Sequence, residues 1–155
     1  QLTEHLDLKN LTPLLYLLKG TTLIYAGQEL CATHKPSLFD KDPIAWDDFG
    51  SARDLTPLMQ TMAHIKHEVL GTDDFIRYAA DDAHDIAVID RLGTGGRSVG
   101  VFSLKSHTAP VKLDLPDGSY LNLIDDSSVQ VTEGRLLCTG QPVVLHVDTG
   151  VEAMA

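Results

Sequence analysis

Carboxylates, imidazoles and amides are the groups in this chain that could do chemistry, and most of them stand in patterns that do none. Four adjacent aspartate pairs occur: Asp47-Asp48, Asp73-Asp74, Asp81-Asp82 and Asp125-Asp126. General acid/base catalysis needs two carboxylates facing each other across a substrate. Neighbours on an extended chain point to opposite sides, so these pairs read as solvated turns, with calcium binding as the minor alternative. His64, His67 and Glu68 lack the His-Glu-x-x-His spacing of a metal site. His64 and Glu68 also fall opposite the apolar stripe of their segment, which makes them a solvated face. His5 and Asp7 have no supporting context. No serine or cysteine sits in a nucleophile elbow or beside a base. Gly93-Thr94-Gly95-Gly96 lacks the Lys-Ser/Thr ending and the following helix of a phosphate loop, and reads as a hairpin turn. No metal set and no catalytic residue is assigned.

Gln28 and Glu29 stand apart from these. They follow Thr21–Ala26, a short run that is apolar on both faces and bounded by Gly20 and Gly27. A strand buried on both faces belongs in a parallel sheet covered by helices. Active-site loops of α/β barrels leave from the C-terminal ends of such strands. Gln28 and Glu29 are therefore candidates for substrate contact, and bracing of the following loop is at least as good a reading. Trp46, the single tryptophan, lies in that loop. Its ring could stack on a sugar, and anchoring the loop to the core is the favoured role.

The elements that must position these residues fall into two rhythms. Residues 1–72 are helical around one strand. Leu8, Leu11, Leu14, Leu15 and Leu18 recur at spacings of three and four. Thr12-Pro13 fits a cap followed by a first-turn proline, although an earlier start is open, and Gly20 fits the stop. Residues 30–53, with Pro36, Pro43, Trp46 and Gly50, form a long irregular segment of the kind that is usually functional. A second helix covers about 55–70, with Thr56-Pro57 repeating the cap signature and Gly71 ending it. Residues 73–155 change to short alternating runs: 75–80, 86–92, 98–104, 111–113, 119–124, 129–131, 135–139 and 143–147. Regular turn signals between such runs predict an antiparallel sandwich or barrel. Nothing else in the N-terminal half reads as a neighbour for Thr21–Ala26, so the chain is expected to be the tail of a longer protein.

Composition sets outer limits. Apolar residues make up 43% of the 155, enough for a packed core. The formal charge of −10, from 12 Lys and Arg against 22 Asp and Glu, disfavours nucleic acid and anionic membrane surfaces as partners. It does not disfavour a neutral ligand such as a sugar. Cys31 and Cys138 are too few for a disulfide framework and read as small buried hydrophobes, with a bridge between them left open. No apolar run reaches the roughly 20 residues that span a bilayer.

Gly20, Tyr25, Gly27 and Glu29, with Gln28 between, resemble the last barrel strand of the α-amylase family of glycoside hydrolases, which typically reads Gly-x-Pro-x-x-Tyr-x-Gly-x-Glu. Thr22 departs from the usual proline. Phe39–Trp46 is similar to that family's following loop, the 55–70 segment to its eighth barrel helix, and the remainder to its C-terminal β-sandwich. The runs Gly118–Leu123 and Gly140–Leu145 are similar to the sandwich's last strands. The resemblance implies the end of a (β/α)8 barrel over 1–72 and an antiparallel β-sandwich over 73–155. It implies a parent enzyme that cleaves or transfers α-glucosidic bonds with retention, through a nucleophilic and an acidic carboxylate. In that family these two carboxylates and a third, supporting aspartate follow the fourth, fifth and seventh barrel strands, which this chain does not contain. Glu4-His5-Leu6-Asp7 does not match the seventh-strand motif. The fragment alone is therefore expected to be inactive. No cofactor is indicated, with calcium open for the parent. An α-glucan or oligosaccharide is the expected substrate, met through the missing barrel, and exposed barrel faces favour self-association. The alternative is a non-catalytic carbohydrate-binding or structural docking module.

Overall fold

A computed structural model describes residues 5–34, 37–44 and 46–148. Glu4 and Pro36, named above, and Ala45, within the Phe39–Trp46 run, lie outside the described residues. Two helices, α1 (His5–Leu17) and α2 (Thr56–Glu68), precede eight strands: β1 (Phe75–Asp81), β2 (Ile86–Gly93), β3 (Gly96–Ser103), β4 (Thr108–Lys112), β5 (Gly118–Leu121), β6 (Ser128–Thr132), β7 (Arg135–Thr139) and β8 (Val143–Val147). The strands form two four-stranded antiparallel sheets, ordered β1-β2-β3-β8 and β4-β7-β6-β5. Each predicted run has its strand. Gly93 pairs with Gly96, so the glycine-rich stretch is the β2–β3 turn.

The first sheet is covered on both faces, which explains why β3 is almost wholly buried. Val99, Val101 and Leu145 face the second sheet and pack with Val111, Val131 and Leu136. Ile89, Phe102 and Val144 face the helices and pack with Tyr16, Leu17, Met62 and Ile65. Gly100 lies in register between Ile89 and Val144 on that second face. A Cβ there would stand 2.4 Å from Leu17 Cδ2, so the glycine forms the notch that seats Leu17. Burying a leucine fully is worth roughly 1.5–3 kcal/mol.

Polar side chains fix this docking. Arg91 Nη1 donates to Leu17 O at 2.8 Å, Nη2 to Gly71 O at 2.6 Å, and Nε to Asp74 Oδ2 at 3.0 Å. Lys66 Nζ donates to Tyr16 O and Leu18 O at 2.9 and 3.0 Å. Two cations thus answer the open carbonyls at the end of α1. Burial and the nearby Arg91 charge hold the Lys66 amine below its usual range. Farther up α1, Asn10 Nδ2 donates to Gly140 O at 2.8 Å, and Ser103 N donates to Asn10 Oδ1 at 3.0 Å.

Two expectations are corrected, and one left open is decided. Of the two starts open for α1, the earlier one holds: the helix runs from His5 with Pro13 inside it. An internal proline removes one ladder bond, and the packing of Tyr16 and Leu17 holds the helix through it. Thr56 is not the cap of α2. Its N–H donates to Asp54 Oδ1 at 2.8 Å, so the aspartate two residues earlier holds the helix start. Thr21–Ala26 is not a strand: the segment has no ladder partner among the described residues, and Leu23 is 81% exposed. A strand is defined by its neighbours, and here none flanks it.

Two predictions follow from these contacts. Arg91 is 4% and Asp74 8% exposed, so Arg91→Ala leaves a buried carboxylate without its opposite charge, held only by the Gly71 N–H; urea unfolding should show a loss of about 3–5 kcal/mol. Asp90 is gripped by Arg97 and Arg77. Burial pushes its pKa up, but the hydrogen bonds and charges of the two guanidiniums together outweigh that and hold it below the ordinary carboxylate value. The folded state therefore binds fewer protons at Asp90 than the unfolded chain does. Its stabilisation is complete above about pH 4 and is lost as pH falls through the lowered folded value. Asp90→Asn should flatten the acid limb of the stability–pH curve measured by urea melts; an unchanged slope would refute the assignment.

Candidate functional site

The turn after Thr21–Ala26 is built by its own polar groups. Gly27 takes a φ of 91°, a left-handed value that suits glycine. Gln28 N donates to Tyr25 O at 2.9 Å, and Ala32 N to Gly27 O at 3.0 Å. The two singled-out side chains point back onto this backbone. Glu29 Oε2 accepts from Gly27 N at 2.9 Å, and Gln28 Oε1 accepts from Tyr25 N at 3.3 Å. Glu29 O accepts from Leu55 N at 2.7 Å, which joins the turn to the start of α2. Arg53 donates to Cys31 O and lies 3.3 Å from Asp48.

Between this turn and the following loop opens a cleft of about 380 Å³, lined among others by Leu30, His34, Asp42, Ile44, Asp48 and Arg53. His34 Nε2 lies 3.0 Å from Asp42 Oδ1, and Ser37 N donates to Asp42 Oδ2 at 2.9 Å. The Ser37 N–H and then the His34 contact hold the Asp42 carboxyl below its ordinary range. The cleft combines an apolar wall with a rim of donors and acceptors, which suits a neutral hydroxylated ligand. Its carboxylates are committed to neighbours: Asp42 to His34 and Ser37, Asp48 to Arg53. Burial pushes the Cys31 thiol up, away from a nucleophilic thiolate.

Gly20 has a φ of 91° and open space around it. Tyr25 is 59% exposed. Trp46 is 58% exposed, which corrects its favoured role as a core anchor. The 3₁₀ turn Trp46–Asp48 buries none of its residues. Phe39 and Phe49 are exposed beside it in the chain, so the loop's aromatic rings form an outward set rather than a plug.

The remaining candidates scatter. His64, His67 and Glu68 are exposed on α2. Among the described residues, no group of three or more His, Cys, Asp or Glu side chains could hold a metal. Asp81 and Asp125 accept from Ala83 N and Ser127 N within their own turns. Asp73-Asp74 departs from the solvated reading, because Asp74 is buried against Arg91. Cys31 and Cys138 are both free and buried. Sequence reasoning missed Arg91 and Asn10. The available signal for Arg91 is its phase: it shares a face of β2 with Ile89, where an apolar residue is expected.

The turn geometry is testable. A Cβ at Gly27 would stand 3.1 Å from Ala32 Cβ and would sit on a left-handed φ. Gly27→Ala should cost about 1–2 kcal/mol locally and speed limited proteolysis between residues 27 and 34. Unaltered cleavage would sink this reading of the turn.

Residues 77–145 match the model of the bacterial alpha amylase C-terminal domain. No curated protein sequence matches. Among solved structures, an alpha-amylase from Lactobacillus plantarum is 32% identical, with a TM-score of 0.74, over 95% of this chain and 34% of that one. A noncanonic maltogenic alpha-amylase from Thermotoga neapolitana is 14% identical, with a TM-score of 0.69, over 94% of this chain and 37% of that one. An alpha-amylase from Geobacillus thermoleovorans, solved with acarbose, is 16% identical, with a TM-score of 0.60, over 92% and 33%. The chain spans about a third of the length of these structures. The chain thus carries, over residues 77–145, a match to the bacterial alpha amylase C-terminal domain, and over nearly its whole length it is similar in fold to part of solved alpha-amylases.

Proposed function

We propose that this chain is the C-terminal portion of a retaining, α-glucan-active glycoside hydrolase that cleaves or transfers α-glucosidic bonds. One observation carries the reading: an apolar segment, Thr21–Ala26, has no ladder partner among the described residues and leads into the Tyr25-Ala26-Gly27-Gln28-Glu29 turn, in a chain that also matches the amylase C-terminal domain. On this reading residues 1–72 close a (β/α)8 barrel, in which Thr21–Ala26, without a ladder in this chain alone, becomes the last strand once earlier strands flank it, and residues 73–155 brace that barrel from outside. Gln28 and Glu29 shape the rim of the active-site face, and Trp46 offers its exposed ring to a sugar there. The nucleophile and the general acid belong to earlier strands. The substrate is an α-glucan or oligosaccharide.

The chain alone should release no reducing sugar from starch or maltooligosaccharides, because a rim without its carboxylates cannot stabilise the transition state. Turnover by the purified 155-residue chain would overturn this. Calorimetry of the same chain with maltooligosaccharides separates the second reading, a non-catalytic carbohydrate-binding module. Saturable heat abolished by Trp46→Ala would place a glycan site on the loop; heat unaffected by that change would place it on the sandwich.

A further inference from the structure

β1 is an unguarded edge. Its outer side has no ladder partner among the described residues, and five of its seven residues are exposed. The other edges are blunted. β4 carries Pro110 at its centre, β5 has four residues, and β8 is flanked where Leu123 N donates to Val144 O at 2.8 Å. Natural sheets guard long edges by such means, and an edge left open is a template for another strand.

The segment Arg77-Tyr78-Ala79-Ala80-Asp81 is complementary to itself when run antiparallel about Ala79. In that register Arg77 opposes Asp81 of a second copy, Tyr78 opposes Ala80, and Ala79 meets its own copy. The second half repeats the first by symmetry. Arg77, Ala79 and Asp81 share one face of the strand, so both charge pairs form on the same side and the small alanines leave the centre open. A slip of two residues puts Arg77 opposite Ala79 and forfeits both pairs. Arg77 is available for this role. It uses Nε and Nη2 on Asp90, while its side chain remains 59% exposed. Asp81 accepts from Ala83 N and His84 Nδ1, with its side chain 36% exposed.

We propose that the outer edge of β1 pairs with a second copy of this chain across a two-fold axis at Ala79, extending β1-β2-β3-β8 into one eight-stranded sheet. An isologous contact of this kind uses the same patch on both partners. Five paired residues per strand bury little surface, so the dimer belongs to the weak, reversible class. The charge of −10 on each copy opposes it, and at about 0.15 M salt the screening length of about 8 Å leaves the close Arg77–Asp81 pairs as the deciding charges.

Sedimentation equilibrium of the 155-residue chain at that ionic strength should show a monomer–dimer equilibrium, with β1 amides gaining protection from hydrogen exchange as concentration rises. Arg77→Asp and Asp81→Arg should each weaken association about tenfold, and the double swap R77D/D81R should restore it. Ala79→Glu, which touches neither charge pair, should abolish it by placing two carboxylates face to face. Circular dichroism melts identify any variant that fails to fold, and Ala79→Glu then carries the test. A chain that stays monomeric overturns the proposal. So does a dimer indifferent to Ala79→Glu, or one lost in Leu23→Asp but kept in Arg77→Asp, which would place the interface on the exposed 21–49 segment.

Discussion

The buried guanidinium of Arg91 is the constraint on which the arrangement turns. It reaches the last carbonyl of α1, the carbonyl of Gly71 after α2, and the carboxylate of Asp74 before β1. Two stretches distant in sequence, the end of α1 and residues 71–74, therefore converge on one side chain of β2. The ion pair itself is weak evidence for net stability, since burying two charges costs about what their attraction returns. What it supplies is position. Apolar packing between Leu17, Ile89, Phe102 and Val144 would tolerate small slides and rotations, whereas a guanidinium with three fixed acceptors does not. Lys66 and Asn10 extend the same logic along α1.

That fixation bears on the candidate site through α2. The turn at Gly27 hangs from the start of α2 through Leu55 N and the Glu29 carbonyl, and α2 is held against α1 and the sheet by apolar packing and by Lys66. The cleft around His34, Asp42 and Arg53 is therefore placed by a chain of contacts that begins in the sandwich. The sandwich can thereby influence a cleft it does not line, because directed hydrogen bonds and close apolar packing join the two.

Much of this was legible in the chain. Alternation and turn residues placed all eight strands, and β7 and β8 fall on their predicted bounds. Strand alternation reports burial on each face, and burial is what holds these strands. The helix starts were less legible. Thr-Pro is a local signal, and at Pro13 tertiary packing overrode it; at α2 the cap position falls on Leu55, and Asp54 accepts from Thr56 N beside it. Thr21–Ala26 reads as a buried strand by composition, yet composition cannot supply the neighbour that makes a ladder. Gln28 and Glu29 were visible as residue types, but nothing in a linear spacing says that both side chains turn back onto their own backbone. Arg91 and Asn10 are single polar residues with no motif around them, and their partners lie 74 and 130 residues away.

Gly100 carries a last consequence. By leaving a notch on β3 for Leu17, it makes the sandwich's outer face incomplete on its own: the row Ile89–Gly100–Val144 is a socket. A cut between residues 72 and 73 would open that socket to water and leave the Arg91 guanidinium facing carbonyls that had been taken away. The change of rhythm in the sequence marks a border in composition, and a graft made along it would transplant half of a lock.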